Sequence, residues 1–227
     1  MAITARTATY ATTGSGTSLA VAEPTGAAQD DILFLWVDYA NNNLNLSSGP
    51  TGWTLLNEWT SEPFNGAALY WIRRGSSALT AGERTVTFTG SASYIELEML
   101  AFSGALTTGN PWDDAQYAAH TSGTAPDPPS ATSSGADRMA VAFGLSWAGW
   151  GSGGATAPTN YTLTRTSSAG EGLASAYRAI GSGAENPGTF GNSSASDSIA
   201  AATIILAPAS GIVIPVLVHH YKTQGIQ

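Results

Sequence analysis

Hydrophobic and polar positions alternate along this chain in short bursts, separated by Gly, Ser, Asn and Pro. No long run places apolar residues at the i, i+3, i+4, i+7 spacing of an amphipathic helix. Period-two segments rich in Val, Ile, Thr, Tyr, Phe and Trp are the signature of half-buried strands. In the first part of the chain the pattern predicts strands at 4–11, 17–22, 31–39, 53–60, 67–73, 84–89 and 94–102. Ile32 to Tyr39 is almost continuously apolar, the pattern of a strand covered on both faces. Further strands are predicted at 115–121, 129–133, 137–147, 161–167, 173–179, 188–190 and 198–206.

The pattern also repeats. Pro50-Thr51-Gly52-Trp53-Thr54-Leu55 recurs as Pro158-Thr159-Asn160-Tyr161-Thr162-Leu163, with flanking segments in the same order. Asp31, Leu33, Leu35 and Val37 correspond to Asp137, Met139, Val141 and Phe143. Trp71 with Gly75 corresponds to Tyr177 with Gly181. Two copies are too few for a solenoid. They predict an all-β, antiparallel, jelly-roll-like β-sandwich built from two internal repeats. The expected organisation is a duplicated sandwich over 1–208, with repeat 1 at about 1–104, a connector at 105–118 and repeat 2 at about 119–208. In the connector, Trp112 is expected to plug the end of the sandwich.

Residues 209–227 have no counterpart in the first copy. Ile212, Val213, Ile214, Val216, Leu217 and Val218 are too apolar for a free tail, and full burial of six such side chains is worth about 6–12 kcal/mol. Pro215 restricts this segment to an edge strand. With Tyr221, these residues are the candidates for contact with a partner chain, the alternative being an edge strand docked on the chain's own sandwich.

Composition narrows the chemistry. Charged residues are only 11% of the chain and the net charge is −8, against about 25% charged in an average soluble domain. Basic residues do not cluster, so neither a nucleic-acid backbone nor an anionic membrane is an expected partner. There is no cysteine, which excludes disulfides, thiolate metal sites and Cys nucleophiles. Met1–Thr7 lacks the basic and apolar regions of a signal peptide, and no stretch approaches ~18 uncharged apolar residues. A short-side-chained, exterior-like surface without a signal fits a particle assembled inside a cell and released by lysis.

Catalytic and metal signals are sparse, and no cofactor is expected. His120, His219 and His220 lack partners at metal-ligand spacing; neighbouring His219 and His220 would point to opposite faces of a strand. Asp30-Asp31 and Asp113-Asp114 lack a calcium-loop pattern and read as turn caps. Glu96 and Glu98 share one face of a strand, roughly 7 Å apart, a separation within glycosidase range. Because Ile95, Leu97 and Met99 occupy the other face, the two glutamates are expected on an outward polar face, and the chain is expected not to be an enzyme. Trp36, Trp53 and Trp71 read as core. Trp147 and Trp150 flank a glycine loop, where they either roof the sandwich or stack on a sugar of a cell-surface glycan.

The repeated pattern resembles a sequence type recurring in tailed-phage structural genes and bacterial surface proteins. The matching residues are Asp31–Val37, Pro50–Thr54, Leu69–Ile72 and Thr85–Ala92, and more loosely Asp137–Phe143, Pro158–Thr162 and Gly188–Ala195. The resemblance spans about 17–207 and does not include the apolar tail. It implies a jelly-roll-type sandwich on the outside of a virion, as capsid decoration, head fibre or tail appendage. It further implies other virion proteins as partners and a homo-oligomer, with a trimer favoured. The alternative is a carbohydrate- or receptor-binding module of a phage tail or bacterial surface protein. The motif residues are structural, so no catalytic or binding residue is carried over.

Overall fold

The computed structural model describes residues 2–40, 46–61, 65–118, 121–122, 125–146, 148–168, 170–194 and 197–209. The apolar tail from residue 210 onward, Trp147 and the three histidines lie outside them. The chain is all-β, and the helical structure among the described residues is a single 3-10 turn at Gly82–Arg84. The first half supplies β1 (Thr4–Ala5), β2 (Thr9–Thr13), β3 (Gly16–Ala20), β4 (Ile32–Ala40), β5 (Leu46–Ser48), β6 (Thr54–Ser61), β7 (Asn65–Arg73), β8 (Thr85–Ala92) and β9 (Tyr94–Ser103). The second supplies β10 (Trp112–Ala118), β11 (Thr121–Ser122), β12 (Ala131–Ser133), β13 (Arg138–Ser146), β14 (Thr162–Leu163), β15 (Leu173–Ile180), β16 (Gly183–Glu185) and β17 (Asp197–Leu206).

Pairing is antiparallel and nested. β2 pairs β9, β3 pairs β8 and β4 pairs β7. In the second half β10 pairs β17, β12 pairs β16 and β13 pairs β15. Successive pairs alternate between a large and a small sheet, so each half rolls up as in a jelly roll. The large sheets run β1-β9-β4-β7-β6, with β2 also on β9, and β10-β17-β13-β15-β14, with β11 also on β17. Their strand orders correspond position for position.

Four layers result. The two large sheets pack face to face over a core containing Ile32, Phe34, Trp36, Phe102, Val141, Phe143, Ile204 and Leu206. The three-stranded sheet β3-β8-β5 covers the other face of the first large sheet, over Leu33, Leu35, Val37, Val86 and Phe88. The β12-β16 pair and the loops carrying Trp150, Tyr161 and Phe190 cover the other face of the second. Sandwiched twice, β4 is buried from Ile32 through Tyr39, which is why it lacks a polar face.

Aromatic rings interlock at the centre. Phe34 lies edge-on to Phe143 at 5.6 Å and to Phe102 at 6.1 Å, and Trp36 lies edge-on to Trp59 at 5.3 Å and to Phe143 at 5.9 Å. Edge-to-face pairs of this kind each add roughly 0.5–1.5 kcal/mol beyond area burial. The two Pro-Thr turns are alike in geometry. Trp53 and Tyr161 donate their amides to the carbonyls of Pro50 and Pro158. Gly52 and Asn160 take the required positive φ, 81° and 66°, a conformation Gly and Asn tolerate best.

The strand predictions differ from the structure in several places: the segment at 4–11 is two strands, β1 and β2, and the strand expected at 161–167 is only the two-residue β14. β10 occupies Trp112–Ala118, so the connecting segment is shorter than 105–118. Trp112 packs on Trp71 at 4.8 Å as the first residue of that strand. Phe190 is buried in irregular chain beside Thr156, while the regular strand is β16, just upstream. The short β5 was not predicted, since three residues carry too little alternation to register.

Phe143→Ala removes the ring shared by Phe34 and Trp36. It should destabilise the fold by about 3–5 kcal/mol, measured by chemical denaturation. The loss should appear as a shift of a single transition rather than as melting of the second half alone.

Candidate functional site

The chemically richest place in the molecule is a polar seam at one margin of the interface between the two large sheets. β9 turns Glu96, Glu98, Leu100 and Phe102 toward the second sheet, continuing the row in which Leu100 and Phe102 join the aromatic core. Glu96 and Glu98 are fully buried, with no solvent exposure. This corrects the expected outward polar face: that face is covered by the second sheet.

Each glutamate is met by groups from the other half. Glu96 accepts from the amides of Gly172 at 2.8 Å and Leu173 at 3.1 Å, from the Tyr10 hydroxyl at 2.6 Å and from the Tyr94 hydroxyl. Glu98 accepts from the hydroxyls of Thr164 and Ser175, both at 2.8 Å. Arg165 follows β14 and stacks over the Tyr10 ring at 4.0 Å. It donates to Glu171 at 2.6 Å, and its Nε lies 3.5 Å from Glu98. That separation allows charge attraction, but the Nε–H is not aligned for a hydrogen bond. Asp38, on β4, sits opposite Glu96 in the strand register.

Burial dominates the electrostatics. It raises the Glu98 carboxyl above the usual carboxylate range, against the pull of Arg165, Thr164 and Ser175. Burial and the neighbouring Glu96 hold Asp38 well above that range. For Arg165, burial lowers the guanidinium, but Glu98 and Glu171 outweigh it and the net shift is upward. Burial and Glu96 also push up the hydroxyls of Tyr10 and Tyr94, which therefore stay protonated as donors.

The arrangement joins layers rather than holding a substrate. A glycosidase pair must admit a sugar and a water between its carboxyls. Here four protein donors surround the oxygens of Glu96, and both glutamates are closed off from solvent.

The other sequence candidates also have structural roles. Trp150 is 1% exposed, packs near Phe190 and donates its indole N–H to the Leu173 carbonyl at 3.3 Å. Of the two readings of Trp150, roof or glycan contact, the glycan one is corrected, because no face of its buried ring is open for stacking. Asp31 accepts from Arg6 and from the Ala28 amide. Asp113 pairs with Arg138 at 2.9 Å and Asp114 accepts from the Thr132 amide at 2.8 Å. Among the described residues, no group of three or more His, Cys, Asp or Glu side chains could hold a metal ion.

Sequence reading missed Asp38, Arg165, Thr164, Ser175 and Tyr10. One signal pointed to them: the nearly unbroken apolar run of β4 implies cover on both faces. A polar residue within that run, Asp38, is then an interior polar residue in need of partners.

Arg165→Met strips the seam of its cation and leaves Glu98 buried without a counter-charge. It should cost about 3–5 kcal/mol in denaturation experiments. Adding Glu98→Gln should recover most of that loss, because the uncompensated charge is then gone. Two additive losses would show instead that Arg165 acts only through packing.

No family model, curated protein or solved structure matches the chain.

Proposed function

We propose that this chain is a non-enzymatic structural protein of a bacteriophage virion, exposed on the particle surface as a capsid decoration or similar appendage. The observation that carries this reading is the use made of the reactive-looking side chains. Glu96, Glu98 and Trp150 all serve as ties between layers, as expected of a protein whose task is to persist as a shaped block. The sparse charge, 11% of residues, gives such a block a short-side-chained surface. The matched strand orders of the two large sheets support descent from a duplicated unit.

Assembly is assigned to the apolar chain end. The last described residue, Ala209, donates its amide to the Gly104 carbonyl at 2.8 Å, and Pro208 bridges to Ala105. The chain is thus anchored at the end of the sandwich just before Ile212–Val218 begins. In this reading that segment and Tyr221 contact a second copy or another virion protein. A homo-oligomer, with a trimer favoured, follows if the contact is with copies of the same chain.

Ending the chain after Ala209 should leave the melting transition nearly unchanged and convert an oligomer into a monomer by mass photometry. Ile214→Asp in the full chain should do the same. A monomeric full-length chain, or a truncated chain that no longer folds, would overturn the assignment of the tail. An antibody against the chain should label the outside of intact phage particles.

A further inference from the structure

We infer that Asp38 keeps its proton at neutral pH where it faces Gly172 across the seam, and that this proton makes the seam between the two large sheets a pH-sensitive latch. The inference concerns the fold's response to pH and is independent of the virion reading.

The geometry places two carboxyls against one point. Asp38 and Glu96 are directly opposed on adjacent antiparallel strands and face the same side of the sheet, an arrangement that brings side chains into contact. Both approach Gly172 of the other half. A Cβ built there would lie 2.9 Å from an Asp38 oxygen and 3.3 Å from a Glu96 oxygen. Two carboxylates this close and this dry do not both ionise without large cost, so one is kept neutral.

The surroundings decide which one. Glu96 receives four donors: two hydroxyls and two backbone amides. Such a shell stabilises an anion and has no place for a carboxyl hydrogen. Among the described residues Asp38 has no such shell: its donor is the backbone of Tyr39, which favours the charged form but less than burial and the neighbouring Glu96 oppose it. Along its own row, β7 and β6 offer Ala67 and Trp59. From the second sheet come Gly172 and Leu145. The remaining charged or titratable groups at the seam are Glu98, Tyr10, Tyr94, Glu171 and Arg165. Arg165 is engaged by Glu98 and Glu171. Asp38 is therefore the member that carries the proton.

The consequence for stability has a definite sign. Folded Asp38 keeps its proton at pH values where an unfolded Asp, with its ordinary value of about 3.9, has lost it. The folded state then binds one more proton, and stability falls as pH rises through that window. Above the window a second negative charge faces the carboxylate that grips Gly172 and Leu173, and the seam is weakened. Acids held low in the fold, such as Asp113 with its Arg138 partner, act in the opposite sense. The Asp38 contribution is therefore read as a difference between two proteins.

The test compares Asp38→Asn with the wild-type full chain by chemical denaturation from pH 4 to pH 9. Asn keeps the shape and stays neutral at every pH. The folding constant of the variant divided by that of the wild type should rise tenfold per pH unit where one extra proton is held. It should level off once wild-type Asp38 ionises. A ratio that stays flat or falls with pH would overturn the inference. If the variant does not fold, carbon NMR of the wild-type side-chain carboxyls decides. The Asp38 signal should still be that of the protonated acid at pH 7, and titration alongside unfolded Asp near pH 4 would overturn the inference.

Discussion

The whole structure depends on one contact: the packing of two large antiparallel sheets, each with a second face of its own to cover. A sheet that is apolar on both sides must find two covers. In each half the small sheet and loops cover one side, and the other side is left for the opposite half. The central strands record this in their residues. β4 carries Phe34 and Trp36 toward the other half, and Leu33 and Leu35 toward its own small sheet. β13 likewise presents Val141 and Phe143 inward, and the small Ala140 and Ala142 outward. Neither half has a complete core alone, so the pair behaves as one four-layered block.

The margin of that contact is held by polar chemistry. Burying Glu96 and Glu98 is costly, and partners offset the cost only where they are well placed. The partners come largely from the opposite half: the Gly172 and Leu173 amides, the Thr164 and Ser175 hydroxyls, and the Arg165 guanidinium. Hydrogen-bond geometry is demanding, so this margin sets how the sheets align, a choice an aromatic core alone would leave looser. The neutral Asp38 fits the same logic, because among the described residues the seam has one guanidinium, that of Arg165, and several carboxyls.

Much of the fold was legible in the sequence because strands announce themselves by alternation. The long strands and the Pro-Thr turns followed from local patterns alone. The two glutamates were misplaced by the same rule. In Ile95-Glu96-Leu97-Glu98-Met99, alternation shows that the two faces differ in polarity. It does not show which face meets solvent. When a second sheet covers the polar face, polar positions are interior positions. Trp150 was ambiguous for a related reason: a tryptophan in a glycine loop can stand proud or fold inward. Here the flanking glycines let the chain pack closely, Gly149 against Gly170 and Gly151 against Asn192, and the ring turns in beside Phe190. The structural role proposed above would leave a fainter trace, since it needs shape and durability rather than a fixed constellation of residues.

If the seam unites the halves, opening one half must open the other. Native-state hydrogen exchange measures this residue by residue. The amides of Gly172 and Leu173, which bond Glu96 across the seam, should exchange with the same opening free energy and denaturant dependence as the central amides of β4 and β13. Two separate classes of exchange, one for residues before β10 and one for residues after it, would contradict the account by showing that the halves unfold independently.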